Sequence, residues 1–464
     1  MPSKMKVFFY FFILGFLFFT FPDMVIANTK NEIPSLKVLG SEDWVRTKME
    51  KYPELTWLLD TNVQQTQEGK SEPFQYSWSQ KITGQHYPEF ERTILSMLCL
   101  YLITDGSEEA YQRLTELQPS DNKLTRNSFQ RLHEFADHVL QQAPNQLQAV
   151  EINLLLGDLG KTQTARQKAE GFGISEPDHD RFLAACLKEC ASIFPTFQNL
   201  KPEIQSELTK GAGLIHFGHM THVEGGPGML TQLKRSDKLE NDPSGFDLEI
   251  LTQICDVSAA RAHEDNRGSK VLTENTYRAL ETVKDALRNL STQSEEETLK
   301  YYLAARAEWL GLDRNDEAQQ FILARLGAMM RLFSKEEGKA LQAGYESISK
   351  EQKELLKSEL NPLISRDEKT PTYVPAVFVN LLNTYSKQGL GKDKAIQRCL
   401  QEGVTFIANV LHQYRNGKAN RPYDPTLTLN FNKVAGQVRD HPNLLKDPRF
   451  SIDKDGHVEI VATF

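Results

Sequence analysis

Leu154-Leu155-Leu156-Gly157-Asp158-Leu159-Gly160-Lys161-Thr162 is an apolar run that gives way to an acid, a glycine and a lysine. A leucine run of this kind reads as a buried helix. Asp158 therefore enters the interior, where an unpaired carboxylate is costly and needs a partner. Lys161 lies about one helical turn further on. Gly160 reads as a stop signal, which makes Asp158 either a residue of the last helical turn or a buried ligand. The stretch predicts a helical core with a charged group delivered to its inside.

Working outward, helical periodicity dominates. Residues 89–103 are strongly apolar and residues 107–117 form a shorter amphipathic helix. Phe129, Leu132, Phe135, Val139 and Leu140 recur at helical spacing just before the leucine run. Residues 180–194 form a further helix, with Pro177-Asp178 as its cap. Residues 248–262 are apolar on most of the helix circumference. A charged loop at 263–272 follows, and Thr273 with Thr276 starts a helix running to Leu290. Residues 295–418 read as amphipathic helices, among them 296–310, 317–333 and 392–414, with no fixed repeat period. At the other end of the chain, residues 28–60 hold short helical pieces anchored by Trp44 and Trp57. Residues 61–86 are rich in Gln and Ser and read as a long loop. Alternating apolar residues around Asp455-Gly456 predict a β-hairpin over 449–463. The fold class is mainly α: a helical core, additional C-terminal helices and a terminal β-hairpin. Residues 1–27, 28–120, 121–290 and 291–464 divide the chain.

The composition, 39% hydrophobic and 25% charged over 464 residues, fits a globular chain. The net charge of −8 and the lack of a basic stripe exclude nucleic-acid binding as an expected function. Lys4 and Lys6, the apolar run 7–21 and Val25-Ile26-Ala27 have the three-part order of a signal peptide cleaved after Ala27. At 15 residues the apolar run is short for a membrane span, which takes about 20. Export to the periplasm or the medium is expected, with no stable membrane span after processing; an anchor formed by residues 7–21 is the alternative. The five cysteines, Cys99, Cys186, Cys190, Cys255 and Cys399, contain no CxxC and read as buried free thiols. There is no G-x-S-x-G, no Walker A and no H-E-x-x-H.

The leucine run with Asp158, Gly160 and Lys161 resembles the "LLHDLGK" signature of the HD superfamily of metal-dependent phosphohydrolases, with Gly157 standing where the family has histidine. The resemblance covers residues 125–290 and implies an HD-like helical core at 121–290, in which histidines and aspartates from several helices hold metal. Such a metal polarises a phosphate and supplies hydroxide near neutral pH. His133, 25 residues before Asp158, is the candidate first histidine; otherwise it is a partly buried helix residue. Asp158 matches the family aspartate. Asp256, in Cys255-Asp256-Val257-Ser258-Ala259-Ala260-Arg261-Ala262, matches the closing aspartate helix; the alternative is a buried pair with an arginine.

His179 and His219, the latter within His216-x-x-His219-x-x-His222, are the candidate additional metal ligands, and His179 is the candidate to fill the gap at Gly157. Lys161 inherits a phosphate contact from the resemblance, and Arg261 has the planar guanidinium that suits phosphate. The implied cofactor is a divalent transition metal, Fe, Mn, Zn, Co or Ni, and the implied partner a small phosphorylated substrate such as a nucleotide. Three functions follow as expectations: an HD-like phosphohydrolase, a catalytically degenerate HD-fold binding or scaffold protein, and an iron-dependent oxygenase of the HD fold.

Overall fold

Serine side chains start many of the helices. Ser294, Ser334 and Ser349 each form a capping box with Glu297, Glu337 and Gln352, three residues on. The computed structural model of the chain describes residues 34–61, 65–66, 69–70, 74–176, 179–214, 217–236, 238–313, 316–364, 366, 368–446 and 448–461. The expected signal peptide, the Pro177-Asp178 cap and His216 lie outside them. Among the described residues there are 23 α-helices. The Arg449–Ile452 and Val458–Val461 strands pair antiparallel, with Arg449 opposite Val461 and Ile452 opposite Val458. Asp453 accepts hydrogen bonds from the backbone amides of Asp455 and His457, and Gly456 turns the chain at φ 88°. The mainly helical architecture and the terminal hairpin are those the sequence predicts.

The Pro88–Asp105 helix is the axis of the N-terminal half. Almost every one of its side chains is buried. It packs against the Arg126–Gln141, Gln146–Leu159 and Pro243–Ser258 helices. Proline at its first position suits a helix start, and Gly106, at φ 69°, ends it in the left-handed region. Residues 34–464 form one unit in which the region before 120 shares its core with the region after it.

Several elements differ from the sequence expectation. Within 61–86 the structure holds a short strand pair, Gln65–Thr66 with Gly69–Lys70. It also holds a helix, Trp78–Thr83, capped by the Ser77 hydroxyl and closed by Gly84 at φ 82°. The run expected over 248–262 is Pro243–Ser258, because Asp242 caps it and Pro243 fixes its first turn. The run over 392–414 is interrupted by a π-helix, Cys399–Val404. The Gln146–Leu159 helix continues through Gly157 and Asp158, and Gly160 has right-handed geometry. Gly160 is therefore not a left-handed stop. A Cβ there would lie 2.4 Å from the carbonyl oxygen of His179, so the glycine permits a close approach of two segments. All five cysteines are free and buried. No helix among the described residues is long and apolar enough to cross a membrane.

Candidate functional site

Three helices bring the two candidate aspartates together. The Pro88–Asp105 helix supplies Glu89, Arg92 and Thr93, the last turn of Gln146–Leu159 supplies Asp158, and Pro243–Ser258 supplies Asp256. Arg92 lies between them. Its Nε donates to Oδ1 of Asp256 at 3.0 Å and its Nη2 to Oδ2 at 2.6 Å, the parallel geometry that makes arginine–carboxylate pairs strong. Asp158 is filled separately. Its Oδ2 accepts from the Thr93 hydroxyl at 2.9 Å and its Oδ1 from Lys161 Nζ at 2.7 Å. Lys161 also donates to Glu89 at 2.8 Å. The cluster therefore reads Glu89, Lys161, Asp158, Arg92, Asp256, with acid and base alternating.

Electrostatics follow the geometry. Burial acts to raise the Asp158 carboxyl, but the charges of Lys161 and Arg92 outweigh it and hold the group well below the usual carboxylate range. Burial likewise opposes the charged form of Lys161, and Asp158 with Glu89 reverses that and holds the ammonium above its ordinary value. Asp158 and Lys161 are thus kept ionised by their neighbours.

The remaining predicted residues lie elsewhere. His133 donates from Nδ1 to the Ile103 carbonyl at 3.0 Å and lies 3.6 Å from Asp137. Ile103 is ten residues along the central helix from Thr93, an axial separation of about 15 Å at 1.5 Å per residue, so His133 is at the opposite end from Asp158. His179 places its backbone against Gly160 and its Nε2 3.4 Å from Asp180; it does not fill a gap at Gly157, beside which space is open. His219 lies with His222 on the Phe217–His222 helix, which packs on Glu274–Asn289 and Glu317–Met329. Arg261 pairs with Glu264 at 2.6 Å on a half-exposed surface.

These positions decide whether the donor set suits a metal. Both oxygens of Asp158 and both of Asp256 already accept from Thr93, Lys161 and Arg92. Two fixed cations stand where a metal's charge would be needed. Among the described residues no group of three or more His, Cys, Asp or Glu side chains is placed to hold a metal ion. The residues present do not fit a divalent metal, and the ligand set of His133, Asp158, His179, His219 and Asp256 is not assembled. Lys161 contacts Asp158 and Glu89 rather than being left for a phosphate.

The sequence reading missed Glu89, Arg92 and Thr93. Their signal is a polar stripe at helical spacing, continued by Ser96, through an otherwise apolar helix. Two further carboxylates on these helices are also saturated. Glu91 accepts from Ser77, Ser79, the Trp78 amide and Asn266. Glu151 accepts from Lys48, Lys51, Tyr52 and Tyr101. Glu91 and Glu151 thus have both carboxylate oxygens satisfied, as buried polar groups usually are.

No curated protein and no solved structure matches the chain. A family model described as a family of unknown function (DUF6829) matches residues 46–441. The chain belongs to this family of unknown function.

Proposed function

We propose that the chain is a non-catalytic binding or scaffold protein that keeps an HD-like motif and has exchanged a metal centre for an ion-pair cluster. What supports this reading is one observation: Arg92 and Lys161, together with Thr93, occupy all four carboxylate oxygens of Asp158 and Asp256. A charged cluster of this kind fixes the mutual register of three helices. It carries three acids against two bases and offers no surplus positive charge for a phosphate. The export signal at residues 1–27 belongs to the same proposal, which places the protein outside the cytoplasm.

Elemental analysis of the purified full chain, with turnover assays on phosphomonoesters and phosphodiesters in the presence of Mn, Fe, Zn, Co or Ni, tests the proposal. The expected result is substoichiometric metal and no turnover. Stoichiometric metal that disappears in both Asp158→Asn and Asp256→Asn, accompanied by phosphoester hydrolysis, overturns it in favour of an HD-like phosphohydrolase. Stoichiometric iron with oxygen consumption overturns it in favour of an oxygenase. Mass spectrometry of the exported protein reads the processing separately: a mature N-terminus at Asn28 is expected, and an intact Met1 on membrane-bound protein refutes cleavage.

A further inference from the structure

Three segments far apart in sequence bring positive charge to one cleft. Arg181 comes from the His179–Glu189 helix and Arg235 from the end of the Thr231–Arg235 helix. Lys369 comes from the stretch ahead of the Val374–Lys387 helix. The turn that follows the Pro202–Gly211 helix, with Gly213 at its centre, completes the lining. Glu176 is the one acid among the lining residues.

The backbone around the cleft is held in place. Gly213 has φ 74°, and a Cβ there would lie 3.2 Å from the Cβ of Ala184. Glycine thus lets this turn sit close against the helix that carries Arg181. On the other side the Lys369 amide donates to the Pro425 carbonyl at 3.1 Å. The next residue, Thr370, is met by Gly225 so closely that a Cβ on the glycine would lie 2.6 Å from the threonine Oγ1. The cations therefore project from fixed segments of chain.

Their charge is at odds with the protein as a whole. The sequence carries a net charge of −8, while the cleft sets three cations against one carboxylate. Arg235 and Lys369 are exposed, and among the described residues neither is ion-paired. Lys234 shows the contrast. It precedes Arg235 on the same helix, yet its Nζ donates to the carbonyls of Leu290 and Gln293 at 2.7 and 2.6 Å. One cation of this helix end closes a neighbouring turn, and the other lines the cleft.

A concave surface lined mainly by one sign of charge concentrates the field and favours an ion of the opposite sign. The cleft is open, with a volume of about 720 Å³, which is the size of a small-molecule site rather than of a single inorganic ion. A guanidinium offers a planar pair of donors to an oxyanion, and a lysine offers a mobile point charge.

We propose that this cleft binds a small organic polyanion, with one carboxylate or phosphate group on Arg235 and a second on Lys369. The proposal goes beyond the loss of catalysis argued above and does not depend on it. Its readout is ligand binding, whereas metal content and turnover test the Asp158 cluster.

Calorimetric titration of the full chain with citrate and with pyrophosphate, at one fixed low ionic strength, tests the proposal, with acetate as the singly charged control. At least one of the two polyanions is expected to bind about tenfold or more tightly than acetate, because a second charged contact is added. Binding of citrate alone identifies a polycarboxylate as the ligand class, and binding of pyrophosphate alone identifies a phosphate compound; either supports the site. Arg235→Gln and Lys369→Ser are each expected to weaken the polyanion by about two- to fivefold, the range of exposed ion pairs. The double variant is expected to weaken it by about tenfold. Both side chains are exposed, so the variants should unfold at the parental temperature. Lys454→Ser removes the same charge from an exposed position in the turn of the terminal hairpin, and binding should be unchanged in it. Failure of both polyanions to bind more tightly than acetate overturns the proposal. So does an affinity unmoved by the double variant, or one lowered as much by Lys454→Ser as by Lys369→Ser.

Discussion

Arg92 and Asp256, 164 residues apart in sequence, meet through two parallel hydrogen bonds across the Pro88–Asp105 and Pro243–Ser258 helices. With Lys161 on Asp158, this pair makes the two acids, Asp158 and Asp256, into elements of helix packing.

The first prediction concerns that pair. Both side chains are about one-quarter to one-third exposed, at 26% and 30%, so water moderates the loss when one is removed. Arg92→Ala is expected to destabilise the fold by about 1.5–3 kcal/mol, the usual loss for hydrogen bonds to charged groups. Arg92→Met with Asp256→Leu should recover part of this, because neither charge is then left alone. Urea unfolding of the single and double variants checks it; additive losses would mean the two side chains do not act as a pair.

A second prediction turns on Gly157. Its backbone is an ordinary helix, and a Cβ there meets nothing within 4 Å. Gly157→Ala is therefore expected to stabilise the protein by about 0.5–1 kcal/mol through helix propensity. Gly157→His should fold as well as the parent and bind no additional metal. Thermal unfolding with metal analysis reads both, and stoichiometric metal in the histidine variant would restore an HD-type centre.

Lys48 and Glu151 give a third. Glu151 is buried and accepts from Lys48, Lys51, Tyr52 and Tyr101. Burial acts to raise its carboxyl, but Lys48 and Lys51 hold it below the ordinary value. Lys48→Met leaves that charge with less compensation and should cost about 3–5 kcal/mol, as breaking a buried pair does. Denaturant midpoints measure it, and a loss below about 1 kcal/mol would place the pair with surface ion pairs.

The fourth is a pH profile set by two neighbours on either side of Val223. Burial, with Arg331 adding to it, pushes His222 down to about 3, while burial pushes Glu224 up to about 8. Between pH 3 and the ordinary histidine value of about 6.5 the unfolded chain holds the extra proton at His222, so its contribution to stability rises with pH. From the ordinary glutamate value of 4.5 up to about 8 the folded chain holds the extra proton at Glu224, so its contribution falls as pH rises. The two slopes oppose each other between the glutamate and histidine reference values. Compared with the parent, His222→Gln should flatten the acid side and Glu224→Gln the alkaline side. Chemical unfolding at a series of pH values tests this, and parallel profiles for all three proteins would refute it.

Much of the helical framework is legible from periodicity. The 126–141 stretch and the Glu295–Leu310 helix follow from apolar spacing and from a Ser-x-x-Glu cap, both local signals. The hairpin follows from Asp455-Gly456. The Trp78–Thr83 helix is hidden because its composition is polar and its stability comes from the Ser77 cap and the Gly84 stop rather than from an apolar stripe. Asp158 and Asp256 stand out in sequence as acids in apolar helices, and they do approach each other. The group that joins them does not stand out, because Arg92 is separated from Asp256 by 164 residues and no local pattern specifies that pairing. The histidines mislead for a related reason. His133 satisfies its ring on the carbonyl of Ile103, a contact set by helix packing rather than by residue type.

The links made by the central helix also bear on the time course of unfolding. Thr93, Glu89 and Arg92 close chain loops of 65, 72 and 164 residues. Contacts that close such long loops carry a large entropic cost early in folding and form only after the local helices are in place. Interactions made after the transition state leave the folding rate nearly unchanged and act on the unfolding rate. The cluster then serves as a kinetic latch: loosening it at Arg92 should shorten the native lifetime in stopped-flow unfolding while refolding proceeds at the parental rate. Wherever unfolded chains are exposed to proteases, that lifetime matters more than the equilibrium midpoint.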